Sequence, residues 1–475
     1  MEIVIIGGGV TGLAAGIFGR RQGHTCHILE QNPIPGGALT GWDRRGYHID
    51  GCIHWLTGTR PQTPLYRLWQ TVGAFDRVRR LPWLYQSRYA GQAVHFWRSA
   101  ARTRQEMLTL SPRDEDEIRR FFRAVNAAKR ISGLPREGSV ADFAALAAYF
   151  TMDLFTLSRR FRHPLLQRAM TDYIGGEYSA LGLIFAYAAF SGGNGDLPAG
   201  GSRQMAQSMT REYLRLGGHL ETNTRVSRIV TRNGRAVGVK TADGRFFPAD
   251  GVLCCMDPKK VFRELLPDFS MPIGLQKRFS EEIYQPFSAI HAAYGVSREA
   301  LPFRGTVCVT CAPYTLGGRK SDRLCVREFS HEPTFAPPGK TVIQCLFFIP
   351  REEARRWIRL RQMGEPYTME KRQFTDWLTA QLITCFPTVK DSLTLLDCWT
   401  PATYHHCLSA FEGSFMGFAI PGGRWPVAVS GKIPGLTNVR LAGGWLQPPG
   451  GLPIALRMGR KAIPALERAC RLAEQ

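Results

Sequence analysis

The hydrophobic pattern at the start of the chain changes its period twice within a short stretch. Residues 3–6 are apolar and β-branched, which is typical of a strand buried on both faces. Residues 11–22 repeat their apolar positions with helical spacing until Gly23, and residues 25–29 form a second apolar run that ends at Glu30. The pattern predicts a strand, a helix and a second strand, with a glycine-rich turn between the first two.

Helical spacing dominates residues 58–195. A helix is predicted from Ser111, because a capping serine and acidic residues precede basic residues toward its end. The apolar run SALGLIFAYAAF at residues 179–190 is too short to span a bilayer. It predicts a core helix, or alternatively the wall of an apolar tunnel.

Helical and alternating patterns are mixed in the remainder. Residues 198–202 are predicted to open a helix that runs to about residue 216, followed by strands with hairpin turns at Asn233-Gly234 and Asp243-Gly244. Residues 438–445 predict a strand that runs into a glycine turn. Pro453 then suits the first turn of a final helix, because backbone N–H groups there have no hydrogen-bond partner within the helix.

Length and composition are those of an ordinary globular protein. The 475 residues are 44% hydrophobic and 21% charged, which predicts a sizeable core and two structural domains. No apolar window is long enough for a transmembrane helix and no basic segment precedes the first strand, so we expect a cytoplasmic location. There the 12 cysteines are expected to be free thiols, with Cys308 and Cys311 a chance pair in a strand, and no metal site is predicted.

The net charge is the unusual property of this composition. A formal charge of +22 predicts an anionic partner, unless the basic residues only form a solvated surface. The sequence contains no zinc finger, no RNA-binding motif and no long basic tail, so nucleic acid is not expected. An anionic membrane surface and an acidic substrate stay open as alternatives.

The glycine turn carries the first chemical signal. Gly7-x-Gly9-x-x-Gly12 lies between the predicted strand and helix, the position of a dinucleotide-binding fingerprint. Gly7 permits the tight turn, Gly9 lets a diphosphate approach the main chain, and Gly12 lets the helix pack closely on the strand. Glu30 stands where a carboxylate accepts hydrogen bonds from an adenosine ribose. These residues predict a dinucleotide site at the helix N-terminus.

Several separated blocks, taken together, resemble the FAD-dependent amine oxidase and phytoene desaturase superfamily, and most closely its phytoene desaturase and carotenoid isomerase-like branch. The blocks are GGGVTGLAAG with Glu30, PGGALT with YHIDGCIHWL, LPAGGSRQMAQSM with LGGHLETNTRVSRIV, NVRLAGGWLQPPGGLPIALRMGRKA and, more weakly, TPATYHHCLSAFEGSFMGF. The resemblance implies an α/β fold with a Rossmann-like FAD-binding domain of the GR2 type and an inserted α+β substrate domain. It implies a discontinuous FAD domain at residues 1–57, 196–265 and 435–475, and a substrate domain at residues 58–195 and 266–434.

The same resemblance implies FAD as cofactor and a set of residues that hold it. Glu30 would bind the adenosine ribose, the backbone of Val226 would face the adenine, and the helix beginning near Leu452 would point its positive end at the flavin pyrimidine. The expected FAD-contacting residues are Gly7, Gly9, Val10, Thr11, Gly12, Glu30, Gln31, Gly36, Gly37, Ala38, Leu39, Val226, Gly443, Gly444, Gly451 and Leu452. Ala38 and Gly444 depart from the arginine and the acidic residue that many members carry, which could weaken a flavin contact.

Flavin chemistry asks for little beyond placement of the substrate, so few catalytic candidates are expected. His54 and Trp55 follow the second glycine block and could face the flavin ring, or alternatively pack a domain junction. His405 would point inward if residues 404–406 form a strand, and could then transfer a proton or be structural. Asp50 is expected to be a turn or capping residue.

Three functions are compatible with these residues. The favoured hypothesis is an FAD-dependent oxidoreductase that desaturates, saturates or isomerises a hydrophobic, polyisoprenoid or carotenoid-like small molecule. A flavin amine oxidase is a second enzyme hypothesis, and a flavin-free, dissociation-inhibitor-like module that binds prenyl groups is a third. The intact fingerprint and Glu30 argue against the third, while the oligomeric state is left open.

Overall fold

The computed structural model describes residues 1–133, 138–280 and 284–472. The strands are β1 (Glu2–Ile6), β2 (Thr25–Leu29), β3 (Gly41–Arg44), β4 (Tyr47–Asp50), β5 (Leu56–Thr57), β6 (Val78–Arg79), β7 (Trp83–Tyr89), β8 (Gln92–Trp97), β9 (Gly195–Pro198), β10 (His219–Glu221), β11 (Val226–Arg232), β12 (Arg235–Thr241), β13 (Phe246–Pro248), β14 (Gly251–Cys254), β15 (Ser288–Ser297), β16 (Thr306–Leu316), β17 (Arg319–Glu328), β18 (Lys340–Ile349), β19 (Thr394–Trp399) and β20 (Val439–Leu441). The helices are α1 (Val10–Arg21), α2 (Pro64–Thr71), α3 (Ala100–Leu110), α4 (Glu115–Gly133), α5 (Val140–Ala147), α6 (Leu154–Ser158), α7 (Pro164–Asp172), α8 (Ala180–Ser191), α9 (Gly201–Arg215), α10 (Pro258–Lys260), α11 (Ile273–Ser280), α12 (Arg351–Gln362), α13 (Glu365–Cys385), α14 (Pro401–Leu408) and α15 (Gly451–Leu472).

A parallel sheet joins the two ends of the chain. Its order is β10-β2-β1-β14-β20, which in chain order within the sheet is 3-2-1-4-5, the doubly wound order of dinucleotide-binding folds. Ile6 pairs with Leu29 on one side and with Cys254 on the other, so three strands end level with each other. In such sheets ligands bind beyond the carboxyl ends of the strands, where the order reverses. Here that point lies between β1 and β14.

Helices α1 and α15 pack against each other over this sheet. A Cβ atom at Gly459 of α15 would lie 2.5 Å from the carbonyl oxygen of Thr11 and 2.9 Å from the Cβ atom of Ala14 in α1, so only glycine permits this close approach. Ile463 and Leu466 continue the contact into a buried cluster that includes the apolar side chains of β1. The C-terminal helix is therefore part of the same core as the N-terminal strand.

A larger sheet forms the other side of the molecule. Its order is β19-β15-β18-β17-β16-β7-β8, and its pairs are antiparallel except for β16 with β7. Helices α12 and α13 cover it through buried side chains such as Trp357 and Leu378. Helices α4 to α8 form a separate apolar cluster against β7 and β8. Among the helices in the described part of the chain, none combines the length and the apolar character that a bilayer crossing requires.

Most local predictions agree with these elements, and one does not. The predicted βαβ unit, the helix opened by residues 198–202, the two hairpin turns and the final helix are all present, with that helix beginning at Gly201. The strand on which an inward-pointing His405 depended is not formed, because residues 404–406 lie in α14. Thr400 and Thr403 form a reciprocal capping box and Pro401 occupies the first turn, so this segment begins a helix. The division into two domains stays a prediction.

Candidate functional site

A cavity of about 1150 Å³ opens at the carboxyl ends of β1 and β14. Of the residues predicted to contact the cofactor, all but Gly12 line it. Gly12 lies behind the wall, and a Cβ atom there would overlap the carbonyl oxygen of Gly7. Its predicted role in close helix packing therefore agrees with its position. The prediction that these distant segments meet in one place is met by the geometry of the cavity.

Bare main chain forms the floor of the cavity at the N-terminal end of α1. Gly7 has φ +102°, which favours glycine, and its N–H group donates to the carbonyl oxygen of Leu29 at 2.9 Å. A Cβ atom at Gly9 would face Gly36 and Gly37 at 3.8–3.9 Å, so two glycine segments approach each other without side chains. Gly9 caps α1 without a side-chain hydrogen bond, which leaves first-turn N–H groups for a ligand. This cradle fits the diphosphate of a dinucleotide.

Glu30 is buried at the edge of this cradle and lines the cavity. Its Oε2 accepts a hydrogen bond from the N–H of Gly8 at 2.7 Å, and its Oε1 accepts from the N–H and the Nδ2 of Asn32 at 2.8 and 2.9 Å. A carboxylate offers about four acceptor positions. One position therefore remains for a hydroxyl group, which fits the predicted contact with a ribose.

The last segment of the chain forms another part of the wall of the same cavity. Gly443 and Gly451 have φ +139° and +75°, and α15 begins at Gly451 with Leu452 on the cavity wall. The N-terminal end of α15 carries a partial positive charge. The N-termini of α1 and α15 thus both line one cavity. This arrangement fits FAD, whose diphosphate is anionic and whose reduced ring is stabilised by a positive field.

Away from the glycine cradle, Glu30 and the start of α15, the cavity wall is apolar and aromatic. Tyr178 lies against Phe287 with ring centroids 4.9 Å apart, and Phe287 contacts Phe348 and Phe415 at 5.9 and 5.8 Å. The wall of this part also includes Ile131, Ile174, Leu181, Phe185, Ala186, Ala189, Met416, Ile420 and Trp425. One face of α8 lines the cavity, while Leu183, Ile184 and Tyr187 on the same helix belong to a buried cluster. The helix therefore serves both as a core helix and as a cavity wall, the two alternatives that its sequence left open.

His54 and Trp55 both line the cavity. The Nη2 group of Arg327 donates to the carbonyl oxygen of His54 at 2.6 Å and fixes this segment. Burial, together with the nearby Arg327 and His291, holds the pKa of His54 well below its usual range, so the imidazole is neutral. Trp55 also packs against the helical cluster. A catalytic role for either residue stays a prediction.

His405 does not line the cavity. It lies on α14, its side chain is exposed, and its Nδ1 is 3.2 Å from the carbonyl oxygen of Ala410. The expectation that a strand would direct it inward is wrong, because the segment is helical. The geometry does not support a contact between this imidazole and a substrate.

Asp50 is a capping residue, as expected, but it caps a distant helix. Its carboxylate accepts from the N–H groups of Cys52 and Ile53 at 3.0 and 3.1 Å and from the N–H of Ser202 at 2.7 Å. Ser202 stands in the first turn of α9, where an anion is favoured. The carboxylate therefore fixes the segment before His54 to the start of α9.

Local patterns gave no indication of a polar clamp over the nucleotide end of the cavity. The hydroxyl of Ser409 accepts from Lys260 Nζ at 2.6 Å and from Gln31 Nε2 at 3.3 Å. Asn32 Nδ2 also donates to the carbonyl oxygen of Cys407 at 3.1 Å. Ser409 has φ +54°, an uncommon conformation for serine. Ser409 stands in no sequence motif, and its positive φ is a property of the folded chain, so the sequence alone did not indicate this contact.

Comparison with known proteins supports the same assignment. The family described as flavin containing amine oxidoreductase matches residues 10–462. The chain is 25% identical over 452 residues to phytoene desaturase (lycopene-forming) of Pseudescherichia vulneris, covering 87% of this chain and 88% of that protein. It is 23% identical over 525 residues to 4,4'-diaponeurosporene oxygenase of Staphylococcus aureus (strain MW2), covering 97% of each.

Solved structures share the fold at lower identity. An oxidoreductase from Methanosarcina mazei aligns with a TM-score of 0.65 at 17% identity, covering 98% of this chain and 100% of that chain. Cyclohexylamine oxidase from Brevibacterium oxydans aligns with a TM-score of 0.60 at 17% identity, covering 100% and 99%. The predicted fold class is confirmed by these alignments.

The family match covers nearly the whole chain, from the first turn of α1 to α15, and it includes Gly36, Gly37 and Gly443 of the cavity wall. Because the family is a flavin-containing one, the predictions of FAD and of an enzyme are confirmed, and the flavin-free alternative is not favoured. The chain belongs to the flavin-containing amine oxidoreductase family, and it is an FAD-dependent oxidoreductase.

Proposed function

We propose that this enzyme carries out redox chemistry on carbon–carbon bonds of a hydrophobic, polyisoprenoid-like substrate. The observation that carries the proposal is the continuity of the cavity, which passes from the glycine cradle directly into the aromatic wall around Phe287. Burial of apolar substrate surface there is worth about 25 cal/mol per Å². The names of two relatives, a phytoene desaturase and a diaponeurosporene oxygenase, point in the same direction.

The residues of the chain would bind and align the substrate and exclude water from it. When bound, FAD supplies hydride acceptance or donation at its ring. The aromatic wall excludes water and restricts a long apolar chain to one path, while neutral His54 offers a hydrogen-bonding group without a charge. Desaturation, saturation and isomerisation share these requirements.

An amine substrate fits the cavity less well. The acidic residues on its wall are Glu30, Asp257 and Glu264. Glu264 pairs with Arg225 at 3.0 Å. The neighbouring Thr224 donates its N–H to the carbonyl oxygen of Glu30 at 2.8 Å, so Glu30 and Glu264 both lie at the nucleotide end of the cavity. Asp257 lies at the same end, because it is three residues before Lys260 of the clamp. A substrate ammonium group in the aromatic part would lack an acidic partner among the described residues.

The test uses the purified holoenzyme under anaerobic conditions. Acyclic polyenes of different saturation and, in parallel, primary and secondary amines are added, and the flavin absorption and the products are followed. Flavin reduction or a change in polyene absorption with polyenes alone supports the proposal. Reduction by amines without any effect of polyenes overturns it.

A further inference from the structure

The apolar part of the cavity reaches the protein surface at residues that are themselves exposed. Phe185 and Trp425 line the cavity, and Trp425 is 68% exposed. Val140 and Val427 nearby are 87% and 63% exposed. Large apolar side chains with such exposure mark interaction surfaces when they occur together. We call Val140, Phe143, Phe155, Phe185, Trp425 and Val427 the rim patch.

Contacts between neighbouring segments place the members of the rim patch around one opening. The ring of Trp425 stacks on Phe150 at 4.5 Å, and the N–H of Val427 donates to the carbonyl oxygen of Trp425 at 2.8 Å. A Cβ atom at Gly138 would lie 2.8 Å from Ile131 and 3.3 Å from Phe143. Ile131 is part of the cavity wall, so α5 borders the same opening.

The α6 segment extends the patch on the other side of the opening. The N–H of Phe155 donates to the carbonyl oxygen of Gly176 at 2.9 Å, and the N–H of Leu154 donates to that of Tyr178 at 2.8 Å. Tyr178 belongs to the aromatic wall. Phe155, which is 46% exposed, therefore stands beside the cavity.

The charges around the rim patch are positive. Arg424 lines the opening and Arg159 lies one helical turn after Phe155, and both are exposed and without an ion-pair partner among the described residues. Of the acidic groups, Asp142 and Glu177 are bound by arginine side chains, and Asp153 accepts from the N–H of Thr156 at 2.7 Å. The surface at the opening thus combines exposed apolar side chains with unpaired cations.

We propose that the rim patch docks on a bilayer that contains anionic lipid, so that the cavity opens into the membrane surface. An exposed tryptophan beside arginine suits the interface between headgroups and acyl chains. Unpaired basic residues favour anionic headgroups, and the chain as a whole carries a formal charge of +22. The proposal concerns binding and does not depend on which substrate the flavin oxidises.

Sedimentation with lipid vesicles tests it on the holoenzyme. Vesicles of phosphatidylcholine with and without phosphatidylglycerol are compared at low and high salt. Wild type should bind the anionic vesicles and be released by salt. The double variant Trp425→Ser, Val427→Ser should bind about tenfold more weakly or worse, and Arg424→Ser about fivefold more weakly.

Matched controls separate the rim patch from exposed apolar residues in general. Met363, directly after α12, and Met369 in α13 are 64% and 54% exposed, and the double variant Met363→Ser, Met369→Ser should bind like wild type. Val427→Ser alone, which leaves the cavity wall intact, should retain its flavin circular dichroism and bind anionic vesicles more weakly than wild type, though less weakly than the double variant does.

Three results would overturn the proposal. They are no binding of wild type to anionic vesicles at low salt, equal binding to neutral vesicles, and unchanged binding of the Trp425→Ser, Val427→Ser variant. If ultracentrifugation shows instead that the variant has lost self-association, the rim patch is an interface between two copies. A catalytic failure with polyenes leaves these outcomes unaffected.

Discussion

The replacement Asp50→Asn tests how the segment before His54 is held. The carboxylate of Asp50 lies against the start of α9 and also accepts a hydrogen bond from the hydroxyl of Ser202 at 2.5 Å. A Cβ atom at Gly201, which has φ +69°, would overlap the carboxylate, so glycine permits this approach. Asparagine keeps the shape and one acceptor oxygen, but it removes the charge and presents an NH₂ group to a backbone N–H.

The expected loss of stability in Asp50→Asn follows from these contacts. Hydrogen bonds to a charged group contribute about 1.5–3 kcal/mol each, and a buried donor left without a partner costs about 1–3 kcal/mol. Since the amide can retain part of the network, we expect the free energy of unfolding to fall by about 3–5 kcal/mol. Asp43→Asn is the matched control, because the side chain of Asp43 is 57% exposed and pairs with Arg203 at 2.8 Å. Its loss should stay below about 1 kcal/mol.

Urea unfolding of the holoenzymes, followed by far-ultraviolet circular dichroism and tryptophan fluorescence, gives both values. The visible circular dichroism of the flavin reports on the segment that carries His54. If Asp50→Asn unfolds within about 1 kcal/mol of wild type, the capping interpretation is wrong. If stability is unchanged but turnover collapses with an altered pH profile, Asp50 acts as a base.

Further predictions concern the cofactor and acid stability. Gly9→Val should abolish flavin retention by filling the cradle, and a fully flavinated variant measured by absorption would contradict this. Glu30→Ala should weaken FAD in fluorescence titrations but not FMN, which lacks the adenosine ribose; equal weakening would count against that contact. Ser409→Ala removes the hydroxyl to which both Lys260 and Gln31 donate, and it should speed FAD release about fivefold, or about 1 kcal/mol net; Ser280→Ala, on an exposed helix end, should not. Burial lowers the pKa of His291 to about 3, so the unfolded chain binds its proton first and stability falls as pH drops below 6.5. At pH 5 the loss amounts to about 2 kcal/mol of the free energy of unfolding. In His291→Gln, the fall in this free energy between pH 7 and pH 5, measured by urea unfolding, should be smaller by that amount. The same pH dependence in the variant would refute the interpretation.

The local elements of this protein follow from its sequence alone. The strand–turn–helix at Gly7–Gly12 and the start of α15 near Pro453 depend on short-range spacing and on the backbone freedom of glycine and proline. The cap that begins α14 is equally local, since Thr400 and Pro401 are neighbours, and it excludes the strand on which an inward-pointing His405 depended. Interactions of this range are encoded within a few residues.

The site as a whole was decided by the tertiary structure. Phe287, Phe348 and Phe415 come from separate segments, and apolar residues carry no mark that distinguishes a core from a cavity wall. Asp50 meets α9 across 152 residues of chain, and Ser409 meets Lys260 across 149. Such contacts depend on how the sheets pack, because burial and electrostatic complementarity arise only when distant segments share one volume. The sequence determined the glycine turns and the carboxylate that line the cradle, and the packing of the two sheets determined the shape of the space beside them.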